Sequence, residues 1–247
     1  MGSTGKSTNN GTITKADGSV ITLPERLVYS PDRGSVTIPA GVLEFEKTHQ
    51  NSNVEHIILW NDFYGKVGEH TGDSKHVTAP VFEHNTADIT SHNHPRVDSD
   101  EKGWLSGTFS PQDISVFSQY HKTDRVVGAE GVYSISKGAN FNPALASEYS
   151  AFSAKLKQDG LAFSKDVKQR IEAEYKKLKS DLKKKVKGLS YTDFEKEYNV
   201  FSKNWDAVNR KYEAEVAEQA NKFAIASHNW LLANQKKYGY TYGLTRG

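Results

Sequence analysis

His92-Asn93-His94-Pro95 and Ser110-Pro111-Gln112-Asp113 are the two stretches of this chain whose residue types and spacing could do chemistry. Histidines one residue apart in an extended segment point to the same side, so both imidazoles can reach one ion. A later Ser-x-x-Asp on the first turn of a helix can bring a carboxylate to that ion and a hydroxyl beside it. Two imidazoles and one carboxylate leave a fourth tetrahedral position open, which is the arrangement of a catalytic zinc rather than a structural one. His92, His94 and Asp113 are therefore candidate ligands of Zn2+, and Ser110 is a candidate donor to a developing oxyanion. The expected chemistry is hydrolysis by activated water. It needs a general base, and a carboxylate beside the water suits that task. Glu55, on a buried strand candidate, is the first choice, with Glu44 and Glu46 next. His76 and His84 are close enough in sequence to be considered as extra ligands.

Each of these residues also has a plainer use. A His-x-His pair alone binds metal in a minority of cases. Asp113 could serve only the dipole of the helix it begins. Ser110 could be an N-cap, a role compatible with catalysis. Glu55 could be an edge-strand charge without chemistry. The letters His-Asn-His also spell a nuclease motif, but that motif disperses its members across a ββα unit and does not fit here. Gly5-Lys6-Ser7 lacks both the earlier glycine and the preceding strand of a phosphate-binding loop.

The elements that must position these groups can be read in outline. Thr12–Leu23 carries a hairpin signal around Lys15-Ala16-Asp17-Gly18. Ser35–Glu46 is expected to open with a short strand at Val36 and Ile38. Val54–Trp60 is a nearly continuous apolar run, as in a strand buried on both faces. Asn61–Gly65 turns the chain and Lys66–Glu69 starts a return strand. Ala87–Ser91 leads straight into the histidine pair. Pro111–Tyr120 reads as a helix, with Ser110 as its cap and Pro111 at its first position. Val126–Ser136 is a second hairpin, turned around Glu130-Gly131.

From Ala144 the pattern changes. Phe163, Val167, Ile171, Tyr175, Leu178, Leu182, Val186 and Leu189 recur at helical spacing. Gly188 and Ser190 interrupt the run, and Thr192 with Glu195 suggests a capping box. A second stripe runs from Phe194 through Tyr198, Phe201, Trp205, Val208, Tyr212 and Val216 to Trp230. Two long helices joined by a short turn predict an antiparallel hairpin. Lys236, Lys237 and Gly239 suit its end, and Tyr240–Thr245 reads as a last strand returning to the sheet. The first helix carries Lys176, Lys177, Lys179, Lys183, Lys184, Lys185 and Lys187. These are either a solvated face or a patch for an acidic partner. Without interleaved exposed aromatics, nucleic-acid stacking is poorly supported.

Composition sets the bounds. The 247 residues are 36% hydrophobic, enough for a substantial core, and the formal net charge of +2 singles out no partner. There is no cysteine, which excludes disulfides and thiolate metal sites and leaves nine histidines as nitrogen donors. No apolar run approaches the about 18 residues that span a bilayer, and no secretory signal opens the chain. Residues 1–11 are small and polar and are expected to be disordered. The compartment stays open between cytoplasmic and phage-associated.

H-x-H-P followed by S-x-x-D resembles the motif of the JAB/MPN metallopeptidases, the JAMM proteases. The His92-Asn93-His94-Pro95 spelling is most similar to the RadC-like and phage-associated branch. The resemblance implies zinc on His92, His94 and Asp113, Ser110 assisting at the carbonyl, and an upstream glutamate on a strand, matched to Glu55. It implies an α+β fold, a mixed sheet flanked by helices with the layering of the cytidine deaminases. Fourteen residues separate Pro95 from Ser110, about twice the family's usual spacing. Val97–Gly107 therefore reads as a surface insertion, in which Trp104 either touches substrate or packs locally.

The division expected is 1–11 disordered, 12–143 a catalytic core, 144–238 the helical hairpin and 239–247 the returning strand. The implied activity is zinc-dependent cleavage of a peptide or isopeptide bond in a protein or peptide substrate, with partner docking on 161–230. The alternative is a phage or prophage structural or interaction protein, or an injected effector, built on the same scaffold with its metal incidental.

Overall fold

The computed structural model describes residues 36–95, 107–128 and 130–245, together with two short paired strands near the start. Those strands are β1 (Thr12–Thr14) and β2 (Val20–Thr22), antiparallel with Ile13 opposite Ile21. The hairpin expectation thus holds for the strands, while its turn, the disordered reading of 1–11, and Trp104 with most of its loop lie outside the described residues.

The fold is α+β around a mixed six-stranded sheet. After helix α1 (Ala40–His49) come β3 (His56–Asn61), β4 (Gly65–Thr71), α2 (Val81–Thr86) and β5 (Ile89–Asn93). Next are α3 (Pro111–Gln119), β6 (Thr123–Gly128) and β7 (Gly131–Lys137). Two long helices follow, α4 (Ala144–Lys185) and α5 (Tyr191–Tyr238), and the last element is β8 (Tyr240–Thr245). The strand order is β4-β3-β5-β6-β7-β8. Every neighbouring pair is antiparallel except β5 and β6.

Register assigns the two faces. Ile57 lies opposite His92 and Leu59 opposite Thr90, while Thr90 pairs with Asp124 and His92 with Val126. Paired residues share a face, so His92 looks out beside Ile57 and Val126. On that face Ile57 and Leu59 pack with Ala87, and Val126, Tyr133, Ile135 and Leu244 pack with Ile114 and Phe117 of α3. Leu145 and Tyr149 of α4 and Ile225 and Leu231 of α5 complete this larger core. On the other face Ile58 packs against Val42 and Phe45 of α1.

Two expectations need correction here. Residues 36–39 form no strand; the chain enters α1 instead, where Val42, Phe45 and Glu46 are buried at steps of three and one. Val54 and Glu55 precede β3, which begins at His56. The turn after β3 is built as expected: Asn61 Oδ1 accepts from the N–H groups of Phe63 and Tyr64, and Gly65 takes φ +80°.

The chain divides into two compact units, 1–154 with 221–247, and 155–220. The helix segments 144–154 and 221–238 therefore belong to the sheet unit. Within the second unit Val167 and Tyr212 are buried. There α4 and α5 touch through Arg170 Nη1–Glu215 at 2.8 Å, Tyr175–Trp205 ring contact at 4.9 Å, and Lys185–Glu197 at 3.3 Å. The cap of α5 is Ser190 with Asp193, not the expected Thr192 with Glu195: Asp193 N–H donates to Ser190 Oγ. Gly188, two residues before that cap, takes φ +81°, a backbone conformation that favours glycine.

Candidate metal centre

β5 is buried along its whole length, as a strand covered on both faces must be. Its end carries the histidine pair. His94 N–H donates to Val127 O at 2.9 Å, which keeps the chain extended one residue beyond the strand. The two imidazole rings lie 5.2 Å apart, centre to centre.

Asp113 approaches from α3. Ser110 caps that helix reciprocally: Asp113 N–H donates to Ser110 Oγ at 3.2 Å, and Ser110 N–H donates to Asp113 Oδ2 at 2.7 Å. The first turn of α3 thus fixes the carboxylate while the side chain faces the histidines, with His92 Nε2 3.7 Å from Asp113 Oδ2. One donor atom from each of His92, His94 and Asp113 lies within 4.8 Å of the others. Neighbouring ligand atoms around tetrahedral zinc sit about 3.4 Å apart, so small side-chain rotations suffice. The donors are nitrogen, nitrogen and oxygen, a set that suits zinc. His92 keeps 10% and Asp113 22% of its side-chain surface exposed.

The electrostatics agree with this geometry. Burial acts to raise Asp113, but the His92 imidazole, His94 and the Ser110 N–H outweigh it and hold the carboxyl far below the usual range. For His92, burial acts to lower the pKa; Asp113, and then Glu55, outweigh it and raise it. Without an ion, His92 and Asp113 thus stabilise each other's charged forms.

Glu55 extends the line of β3 by one residue. Its N–H donates to Asp73 O at 2.7 Å and its carbonyl accepts from Gly72 N–H at 2.8 Å. Two residues before Ile57, it falls on the face that carries His92. Its carboxyl is raised by burial, lowered by His92, and raised by Asp113. Glu55 is therefore close enough to the triad to sense both charges. Gly72 is required at this join, because a Cβ there would meet His76 O at 1.9 Å.

The other candidates lie elsewhere. Glu46 is on the opposite sheet face, where Arg125 Nε and Ser91 Oγ both donate to its Oε1. Glu44 is an exposed residue of the same helix. Neither reaches the triad. His76 is exposed beside Asp73. His84 Nδ1 meets His121 Nε2 at 3.1 Å, and His121 Nδ1 meets Asp124 Oδ1 at 2.7 Å. Thr90 also donates to Asp124 at 2.8 Å. This chain, buried at His121, Asp124 and Thr90 and absent from the sequence reading, occupies His84. Among the described residues, only His92, His94 and Asp113 form a group that could hold a metal.

Sequence reasoning also missed what holds Ser110 in place. Tyr149 Oη donates to Phe109 O at 2.7 Å, Thr108 Oγ1 bonds Tyr242 Oη at 2.8 Å, and Gly107 N–H donates to Glu130 Oε1 at 3.0 Å. Burial pushes the Tyr149 hydroxyl up to about 12, so it stays a donor at any ordinary pH. No local pattern marks these partners, which come from α4, β8 and the β6–β7 turn.

Compared with known proteins, the chain matches no family model, no curated protein and no solved structure.

Proposed function

We propose that this chain is a zinc-dependent hydrolase that cleaves a peptide or isopeptide bond with JAB/MPN-type chemistry. The observation that carries the reading is the convergence of His92, His94 and Asp113, with Glu55 sensing two of them from the same sheet face. A zinc ion bound there supplies Lewis acidity toward a carbonyl and makes water nucleophilic near neutral pH. His92, His94 and Asp113 hold it. Glu55, its carboxyl raised above the ordinary glutamate value by burial, takes the proton of the attacking water and returns it to the leaving amine. Ser110 Oγ accepts from Asp113 N–H and keeps its own proton free to donate to the carbonyl oxygen.

The test is chelator-sensitive cleavage of a peptide library by the zinc-loaded protein. Glu55→Gln should keep zinc and lose hydrolysis. Retained hydrolysis in that variant would refute the assignment.

A second reading is an interaction protein of phage type with its metal incidental. Contacts of α4 and α5 pair rising numbers on one helix with falling numbers on the other, which suits an antiparallel hairpin. Residues 161–230 would then be its docking surface, on which Leu161 and Tyr191 are 64% and 80% exposed. Stoichiometric zinc without cleavage of any peptide favours this reading.

A further inference from the structure

The residue between the two histidines has work of its own. β3 and β5 part company at their shared end. Continuing the register past Ile57 opposite His92 would set Glu55 against His94. His94 gives its N–H to Val127 of β6, the side that strand alternation dictates, and Pro95, the next residue in line for Val54 C=O, has no N–H to give. The strand edge around Glu55 therefore lacks a backbone neighbour on the β5 side. Val54 C=O and His56 N–H, the two groups that flank Glu55 on that side, would be left unpaired.

Asn93 fills the gap. Its Oδ1 accepts from His56 N–H at 2.7 Å, and its Nδ2 donates to Val54 O at 3.0 Å. One side-chain amide thus makes both bonds that a neighbouring strand residue would make. Asn93 is fully buried, and it alternates with the histidines, so its side chain lies across the sheet edge while theirs project toward Asp113. On the far side, Asp73 O and Gly72 N–H hold Glu55 itself. The backbone of Glu55 is clamped from both edges.

We infer that Asn93 is the positioning residue of Glu55: its amide replaces the missing strand neighbour and sets the carboxylate at the level of the metal triad. Only a primary amide of this length offers an acceptor and a donor to the two groups. Serine or threonine cannot serve both, and leucine serves neither. The clamp is read directly from these bonds; its catalytic consequence rests on the hydrolase reading above.

The test uses the full chain with Asn93→Leu, and with Asn93→Asp, which keeps the acceptor for His56 and loses the donor to Val54. Three quantities are read: bound zinc, hydrogen exchange at the His56 amide, and peptide-library hydrolysis. Both variants should retain one zinc. His56 exchange should quicken at least about tenfold in Asn93→Leu and less in Asn93→Asp. The kcat should fall about tenfold to a hundredfold with KM little changed. In a Glu55→Gln background neither Asn93 change should cause further loss, because both act through one carboxylate.

Unchanged His56 exchange in the two variants overturns the clamp, whatever the activity. Faster exchange with wild-type kcat, or losses that add to those of Glu55→Gln, overturns the positioning role. A wild-type protein that cleaves nothing, with His56 exchange still dependent on Asn93, sinks the hydrolase reading and leaves the clamp standing.

Discussion

Arg125 grips Glu46 through its Nε, and again through Nη2 at 3.0 Å, on the sheet face opposite His92. Ser91 shares the same carboxylate. The pair is buried and its polar atoms are satisfied, so it belongs to the fold and not to the chemistry. Removing one partner strands a buried charge, which costs about 3–5 kcal/mol. Arg125→Leu should lower the melting temperature sharply. Glu46→Gln leaves the buried Arg125 charge uncompensated and should also destabilise, but it should leave zinc content and hydrolysis per folded molecule unchanged. A Glu46→Gln protein that folds normally but has lost hydrolysis would return Glu46 to the candidate bases.

Ser110 carries two roles that one pair of substitutions separates. Ser110→Ala removes the cap, at about 1 kcal/mol, and the hydroxyl; Ser110→Gly removes the hydroxyl but costs the helix only a few tenths. If the hydroxyl steadies the oxyanion, both variants should lose about 100-fold or more in kcat. Thermal melts and kinetics measured together decide this. A Ser110→Gly enzyme with normal kcat would leave the serine as a cap alone.

Tyr149 ties Phe109, and through it Ser110, to the start of α4. Tyr149→Phe leaves a buried carbonyl without its donor, at about 1–3 kcal/mol. The variant should bind zinc less tightly than wild type, because the loop leading to Ser110 and Asp113 loses one of its ties. Competition with a chromophoric chelator measures this, and equal affinity would show that α4 does not support the site.

Acid should weaken the β3–β5 corner through Asp88. Burial acts to raise this carboxyl, but Lys122 at 2.8 Å and the Asp62 N–H outweigh it and bring it below the ordinary 3.8. A lowered carboxyl stabilises the folded state above its unfolded pKa, and that stability disappears as pH falls through the folded value. The melting-temperature gap between wild type and Asp88→Asn should therefore be full near pH 7 and close below about pH 3.8. Lys122 is largely exposed, so the gap should be small and should shrink in salt. A gap that widens on acidification would contradict the sign.

Much of this was legible in the residues themselves. β8, Tyr240–Thr245, and the cap of α3 coincide with their sequence patterns because alternation, Pro111 and Ser110 act locally. The same is true of His92, His94 and Asp113, whose spacing already placed them on one strand end and one helix start. α1 and α2 were not legible. α1 is short with only three buried residues, and α2 presents one buried glutamate and no apolar stripe. Choosing among Glu44, Glu46 and Glu55 required knowing the sheet face, which register sets and spacing does not. The His84–His121–Asp124 chain joins α2 to β6 across 37 residues, and no local pattern reports such a contact.

The most direct test of the centre is metal analysis of the purified protein beside its His92→Ala and Asp113→Asn variants. The expected result is one zinc per wild-type chain and none in either variant, with all three proteins folded. Wild-type protein without a divalent ion after zinc loading, or variants that keep the same ion, would contradict the shared site and the hydrolysis built on it.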